Sequence, residues 1–273
     1  RRLLFALLVL TLLVIGFTVL GFSRLKTVTG AGGEPLTAVE LKGVVSQLLI
    51  VVMFMFGFVL AISTVFVASP AISSDLESGV ALSMLTRPIS RAEYVLGKWV
   101  GLSALAAIYA GGAAAIELVL VNVVTGYTPP NPPVFLLYLV GHVVILLTLA
   151  LLISTRLSGM TAGVTALGVF GLAWFGGIAA AVGEAFNNNT ITTVGYLTKL
   201  VLPTDALWRG AVYALQPAAE IALFRSAGNT GRAASASPFF AAAPPTNQFL
   251  AWTAMWTVGV LALTVLSLRR REV

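Results

Sequence analysis

Two residues buried in long apolar runs have side chains that could do acid–base chemistry. Glu117 is the one ionisable residue between Trp99 and Val124, and His142 the one between Val134 and Thr155. Charged groups inside such runs are costly to dehydrate and normally face a protein interior, so their functional reading is contact with substrate or proton, or a pair that breaks during a working cycle. Their structural reading is a neutral, hydrogen-bonded Glu117 and a packed, satisfied His142. At about 1.5 Å per helical residue both fall some 10–12 Å in from the same end of their runs, so they could meet. No other constellation suggests catalysis. One histidine cannot build a multi-histidine metal centre, and without cysteine there is no thiolate ligand, thiol nucleophile or disulfide. H-E-x-x-H and a nucleophile elbow are both absent. An intramembrane acid protease would need paired carboxylates, and Glu117 stands alone. A phosphate cradle fails as well: Gly97-Lys98 is the only Gly-Lys, Ala92 stands where the first glycine belongs, and Trp99 stands where Ser or Thr is needed. The chain therefore reads as no enzyme, with no metal or cofactor of its own.

The elements that must position these residues follow from composition. Counted with glycine and without tyrosine, apolar residues make up roughly 65% of the 273 positions, against 45–50% in soluble domains. Charged residues make up 10%, too few to cover that surface in water, so the class is an all-α integral membrane protein. The net charge of +6 lies at the edges of apolar runs, which fits membrane orientation and lipid contact and not a nucleic-acid partner.

Six runs are long enough to cross: about 3–22, 44–68, 98–124, 134–155, 159–182 and 249–268. The first exceeds the apolar core of a signal peptide and no A-x-A site follows it, so it reads as a crossing. Six crossings put both termini on one side. Placing them in the cytoplasm leaves Arg1, Arg2, Arg87, Arg91, Lys98, Arg156, Arg269, Arg270 and Arg271 inside, against Arg24, Lys26 and Lys42 in short outer loops. That balance predicts a multi-pass protein of the plasma (inner) membrane with cytoplasmic termini. The Gly159-x-x-x-Gly163 pair reads as helix packing, and Trp208, Trp252 and Trp256 as interfacial anchors.

The connectors are unequal. Thr125 to Pro133, with Pro129, Pro130, Pro132 and Pro133, predicts a stiff non-helical turn. The outer segment 183–246 holds, from Tyr196 to Gln216, one or two short amphipathic helices broken at Pro203 and lying on the membrane surface. The cytoplasmic segment 69–96 carries two capping-box patterns, Ser74 with Glu77 and Ser90 with Glu93, around a stop at Pro88. They predict a short helix from about Asp75 to Arg87, with Ile72, Leu76, Val80 and Met84 four apart and Leu82 and Leu85 widening the apolar face. A helix of three turns is unstable alone; it packs against a partner, or folds back on its own bundle.

The run Glu77-Ser-Gly-Val-Ala-Leu-Ser-Met-Leu-Thr-Arg-Pro-Ile-Ser-Arg-Ala-Glu-Tyr-Val-Leu-Gly-Lys98 resembles the E-x-G-(T)-x-x-x-L-L-x-x-P-(I/L)-x-R-x(5)-G-K stretch of type-2 ABC exporter permeases. Glu77, Gly79, Leu85, Pro88, Arg91, Gly97 and Lys98 occupy matching positions, while Val80 replaces the usual threonine. Leu202-Pro-Thr-Asp-Ala-Leu-Trp-Arg209 resembles an N-P-T-D stretch in the permease of the nitrous-oxide-reductase maturation transporter, with Leu202 in place of asparagine. The resemblance implies a type V exporter-like fold of six transmembrane helices, with a coupling helix between the second and third and short extracytoplasmic helices between the fifth and sixth. It implies docking of an ATPase on Asp75, Leu76, Glu77, Gly79, Val80, Met84, Leu85, Arg87, Pro88 and Arg91. It also implies two copies of that separate ATPase subunit, which hold ATP and Mg, and a second permease copy, as homodimer or close paralogue. Two other classes compete: an ion-coupled secondary transporter or channel using Glu117 and His142, against which stands the lack of an internal repeat, and a structural membrane anchor for a partner.

Overall fold

The computed structural model describes residues 2–25, 34, 37–80, 89–228 and 237–270. These residues form helices and connecting segments, with no strand among them. In chain order the helices are α1 (Arg2–Arg24), α2 (Ala38–Ala68), α3 (Pro70–Glu77), α4 (Arg91–Thr125), α5 (Pro132–Ser154), α6 (Gly159–Ala185), α7 (Asn189–Val201), α8 (Thr204–Leu215), α9 (Ala218–Ser226) and α10 (Asn247–Arg269). Five helices are long and apolar enough to cross a membrane: α2 with α3, α4, α5, α6 and α10. The chain is a multi-pass membrane protein, because in lipid only helices of this kind satisfy their own backbone. α1 is apolar over Val9–Arg24.

α5 is the axis of the bundle and packs against α2, α4, α6, α8 and α10. Twelve of its residues are buried, including Phe135, Leu139, His142, Leu146 and Leu151. The small residues at the start of α6 let it approach α2 and α3, as the sequence predicts. A Cβ on Gly159 would lie 3.0 Å from Pro70 Cβ, and one on Gly163 would lie 3.1 Å from Ser69 Oγ.

Several boundaries differ from the sequence reading. α2 starts at Ala38 and not near 44, because Thr37 and Glu40 form a capping box: Glu40 N–H donates to Thr37 Oγ1 at 3.3 Å and Thr37 N–H to Glu40 Oε2 at 2.9 Å. Pro132 and Pro133 open α5 and do not belong to the turn, a first-turn position where the missing N–H costs nothing. The Ser74/Glu77 box does not form. The helix has already begun at Pro70, so Ser74 is internal and its hydroxyl donates back to Pro70 O at 2.5 Å. α3 then ends at Glu77, because Gly79 takes φ +75°, the left-handed region that stops a helix, and the rest of the predicted helix, 81–87, lies outside the described residues. The box at Ser90 and Glu93 does form and starts α4.

The largest departure lies between α6 and α10. α7 does not lie across the end of the bundle but runs along the outer flank of α6, with Gly195 its one buried residue. It turns back beside α6, with Gly183 against Thr192, Gly195 against Ala180 and Gly176 against Thr198. By Gly176 it has travelled nine residues inward from Ala185, about 13 Å. Pro203 breaks the helix there, and α8 returns along α5: Leu207 meets Gly141, Gly210 meets Tyr138, and Asn131 N–H donates to Ala214 O at 3.1 Å. α7 and α8 thus form a helical hairpin, α7 outside α6 and α8 packed within the bundle along α5, whose two ends lie on the same side. α7 turns Leu197, Leu200 and Val201 outward, while α8 is buried along Leu207, Trp208, Ala211, Val212 and Leu215.

Candidate functional site

Two assemblies hold the ion pairs found among the described residues, one at each level of the bundle. The first is the elbow of α3 and the start of α4. Asp75 accepts from Tyr94 O–H at 2.8 Å and pairs with Lys98 Nζ at 2.6 Å, and the same Nζ donates to Ala71 O at 2.6 Å. Arg91 Nη1 donates to Leu268 O and Arg269 O, at 2.7 and 2.8 Å, satisfying the last carbonyls of α10. Arg156 does the same for Ser267, its Nε donating to Oγ at 2.8 Å and its Nη2 to the carbonyl at 3.2 Å. Of the docking residues implied by the resemblance, Asp75 and Arg91 therefore face inward contacts of the elbow itself. Leu76 and Gly79 are half-buried, and Glu77 and Val80 are exposed. Met84, Leu85, Arg87 and Pro88 lie outside the described residues.

The second assembly is the tip of the α7–α8 hairpin. Asp205 Oδ2 receives Lys199 Nζ at 3.3 Å and Arg209 Nε at 3.1 Å, with the carboxylate side chain only 5% exposed. Asp205 and Arg209 are one helical turn apart, a spacing legible in sequence; Lys199 joins them because the break at Pro203 folds α7 beside α8. His142 of α5 approaches the same tip, its Nδ1 lying 3.2 Å from Thr204 O. A carbonyl only accepts, so Nδ1 carries the proton and Nε2 is left as an acceptor. Beside it lies a cavity of about 20 Å³, lined among others by Phe58, Phe170, Trp174, Thr204 and Asp205. That is room for a single water. Thr204 Oγ1, 1% exposed as a residue, has no partner.

Glu117 and His142 do not pair. Glu117 is 2% exposed and faces Thr18 of α1, its Oε1 without a partner, whereas His142 packs edge-on against Phe170, ring centroids 5.6 Å apart. Equal depth does not bring them together, because α4 presents Glu117 to α1 while α5 presents His142 to α8. A second polar contact between α1 and α4, Thr11 with Tyr109 at 2.5 Å, runs parallel to the first.

Trp208 is not an interfacial anchor in this fold. It is buried and its Nε1–H donates to Pro238 O at 2.8 Å. Trp252 and Trp256 of α10 donate to Leu200 O at 3.2 Å and Val201 O at 2.8 Å. α7 ends at Val201 with Leu202 extended, so these carbonyls lack the donors four residues on that a continuing helix would supply, and the indoles take their place. Trp256→Phe keeps the ring and deletes the donor; a loss of about 1 kcal/mol in unfolding free energy is expected, read by chemical denaturation in detergent.

No protein-family model matches the chain, and no characterised protein matches it.

Proposed function

We propose that this chain is the permease subunit of an ATP-driven exporter, crossing the plasma (inner) membrane six times with α1 as the first crossing and both termini cytoplasmic. A separate ATPase, in two copies, would bind the elbow and supply ATP and Mg, and a second permease copy would complete the transport path. The observation that carries this reading is mechanical. The segment resembling the exporter motif begins in a short helix that Asp75, Tyr94 and Lys98 fasten to the first two turns of α4, and Arg91 fastens the same turn to α10. A push on Glu77 would reach α4 through the charge-assisted bonds of Asp75, and α10 through those of Arg91. ATP-driven closure of the ATPase pair would then tilt α4 and α10 from an inward-open to an outward-open arrangement.

Because Asp75 is engaged within the elbow and Glu77 is not, the two acids separate docking from transmission. Glu77→Arg is expected to abolish copurification of a P-loop ATPase while leaving the thermal unfolding of the permease unchanged. Asp75→Asn is expected to retain the ATPase and to release its hydrolysis from transport. Full ATPase recovery with both Glu77→Arg and Val80→Asp would overturn the docking assignment.

A further inference from the structure

Near the end of the bundle where α2 begins, an acidic side chain joins α9 to α2. Glu220 lies in the first turn of α9, and its Oε1 accepts from Gln47 Nε2 of α2. Its Oε2 is buried and has no partner. The same is true of Ser46 Oγ and Gln216 Nε2, which belong to residues 0% and 2% exposed. Tyr127, from the link after α4, ties the group together: its hydroxyl donates to Leu215 O at 3.1 Å, next to Gln216, and lies near Ser46 and within the field of Glu220. Gln216 Oε1 in turn accepts Ala241 N–H at 3.0 Å, so the strap from 237 to 246 is joined to the cluster.

Of the described residues, Gln47 of α2 donates to Glu220 and Tyr127, from the link after α4, lies within its field. Tyr127 is the one titratable group among them. None of the ion pairs among the described residues includes Glu220. Arg225, on α9 itself, instead donates to Ala242 O. A half-buried carboxylate that joins no ion pair among the described residues and keeps one buried oxygen without a hydrogen bond is a costly arrangement, and protonation removes the charge that makes it so. The attachments of α9 outside the cluster are few: Ile221 is buried, and Phe224 stacks on Phe240 of the strap at 4.6 Å.

From this geometry we infer that α9 and the strap form a proton-sensitive latch, seated on α2 when Glu220 takes up a proton from the aqueous phase and released when it gives the proton back. Burial raises the Glu220 carboxyl above its ordinary value of 4.5, which sets the sign. A group whose value is raised in the seated state favours that state fully below the ordinary value, and the preference is lost as pH rises through the raised one. Burial also raises the Tyr127 hydroxyl from 10.0, so it stays neutral throughout this window. The latch does not depend on the exporter reading.

The chain has no cysteine, so Leu223→Cys, at a position 69% exposed on α9, accepts a single spin label. In the full chain in lipid nanodiscs, label mobility is expected to fall as pH is lowered from 8 toward 4. The released population should shrink by up to about tenfold per pH unit through the window. Adding Glu220→Gln, a neutral isostere, is expected to hold the label immobile at every pH. Gln47→Leu, which removes the one donor to the carboxylate, should move the midpoint upward. A mobility that does not respond to pH, or a response that survives Glu220→Gln with the same midpoint, would overturn the latch.

Discussion

Replacing Asp205 with alanine is expected to cost about 3–5 kcal/mol of unfolding free energy, the usual consequence of removing one partner from a buried ion group. Lys199 and Arg209 share a single oxygen, Asp205 Oδ2, and their side chains are 13% and 16% exposed. Without the carboxylate, two cations would lose the acid between them at the hairpin tip, level with His142, in a largely buried layer. The damage comes from charge, so Asp205→Asn should destabilise nearly as much as Asp205→Ala, although it keeps the shape. By the same reasoning, converting all three residues to apolar ones of similar length (Lys199→Met, Asp205→Leu, Arg209→Met) should recover most of the loss. Denaturant titration in detergent reads all three variants, and protease cleavage near Pro203 reports whether the hairpin has left the bundle. A loss below about 1 kcal/mol for Asp205→Ala, the range of solvated pairs, would mean that the tip is hydrated.

Gly195→Ala is expected to have the second large effect, because no side chain can move aside for it. A Cβ at that position would lie 2.3 Å from Ala180 N and 2.5 Å from Ala180 Cα, both backbone atoms of α6. One of the two helices must shift, and overpacking of this kind costs about 1–3 kcal/mol, more for a larger side chain. The shift should also reach the tip: moving α7 away from α6 draws Leu200 O and Val201 O from the indoles of Trp252 and Trp256. Gly195→Leu is therefore expected to change the tryptophan emission of the folded protein as well as its stability. Gly112→Ala is the matched control, since nothing lies within 4 Å of a Cβ there; it should be neutral or slightly stabilising, as alanine is the better helix former. Equal behaviour of the two variants would sink the close-packing account of α7.

Local signals were readable wherever a few neighbouring residues decide the outcome. The Ser90/Glu93 cap, the packing role of Gly159 and Gly163, and the break at Pro203 are each settled within a turn or two of chain. The Thr37/Glu40 cap was equally legible and begins α2. The pattern at Ser74 and Glu77 misled because the same four residues fit a helix start or a helix interior, and Pro70 upstream with Gly79 downstream chose the interior. Amphipathic α7 and α8 misled more seriously. Thirteen and twelve residues are too few to span, and an apolar face beside polar residues suits a membrane surface and a bundle interior alike.

The residues themselves determined that this chain lives in lipid as long helices, because apolar runs with so few charges leave the backbone no other way to satisfy its hydrogen bonds there. The tertiary structure decided which buried polar groups meet. Lys199 reaches Asp205 across a proline break, Glu117 turns to Thr18 and His142 to the Thr204 carbonyl, and Glu220 finds Gln47 from 173 residues away in sequence. Helical periodicity fixes which residues share a face of one helix, but not which helix that face will meet. That choice depends on close approaches between backbones, made possible at Gly176, Gly183 and Gly195, which no single segment encodes.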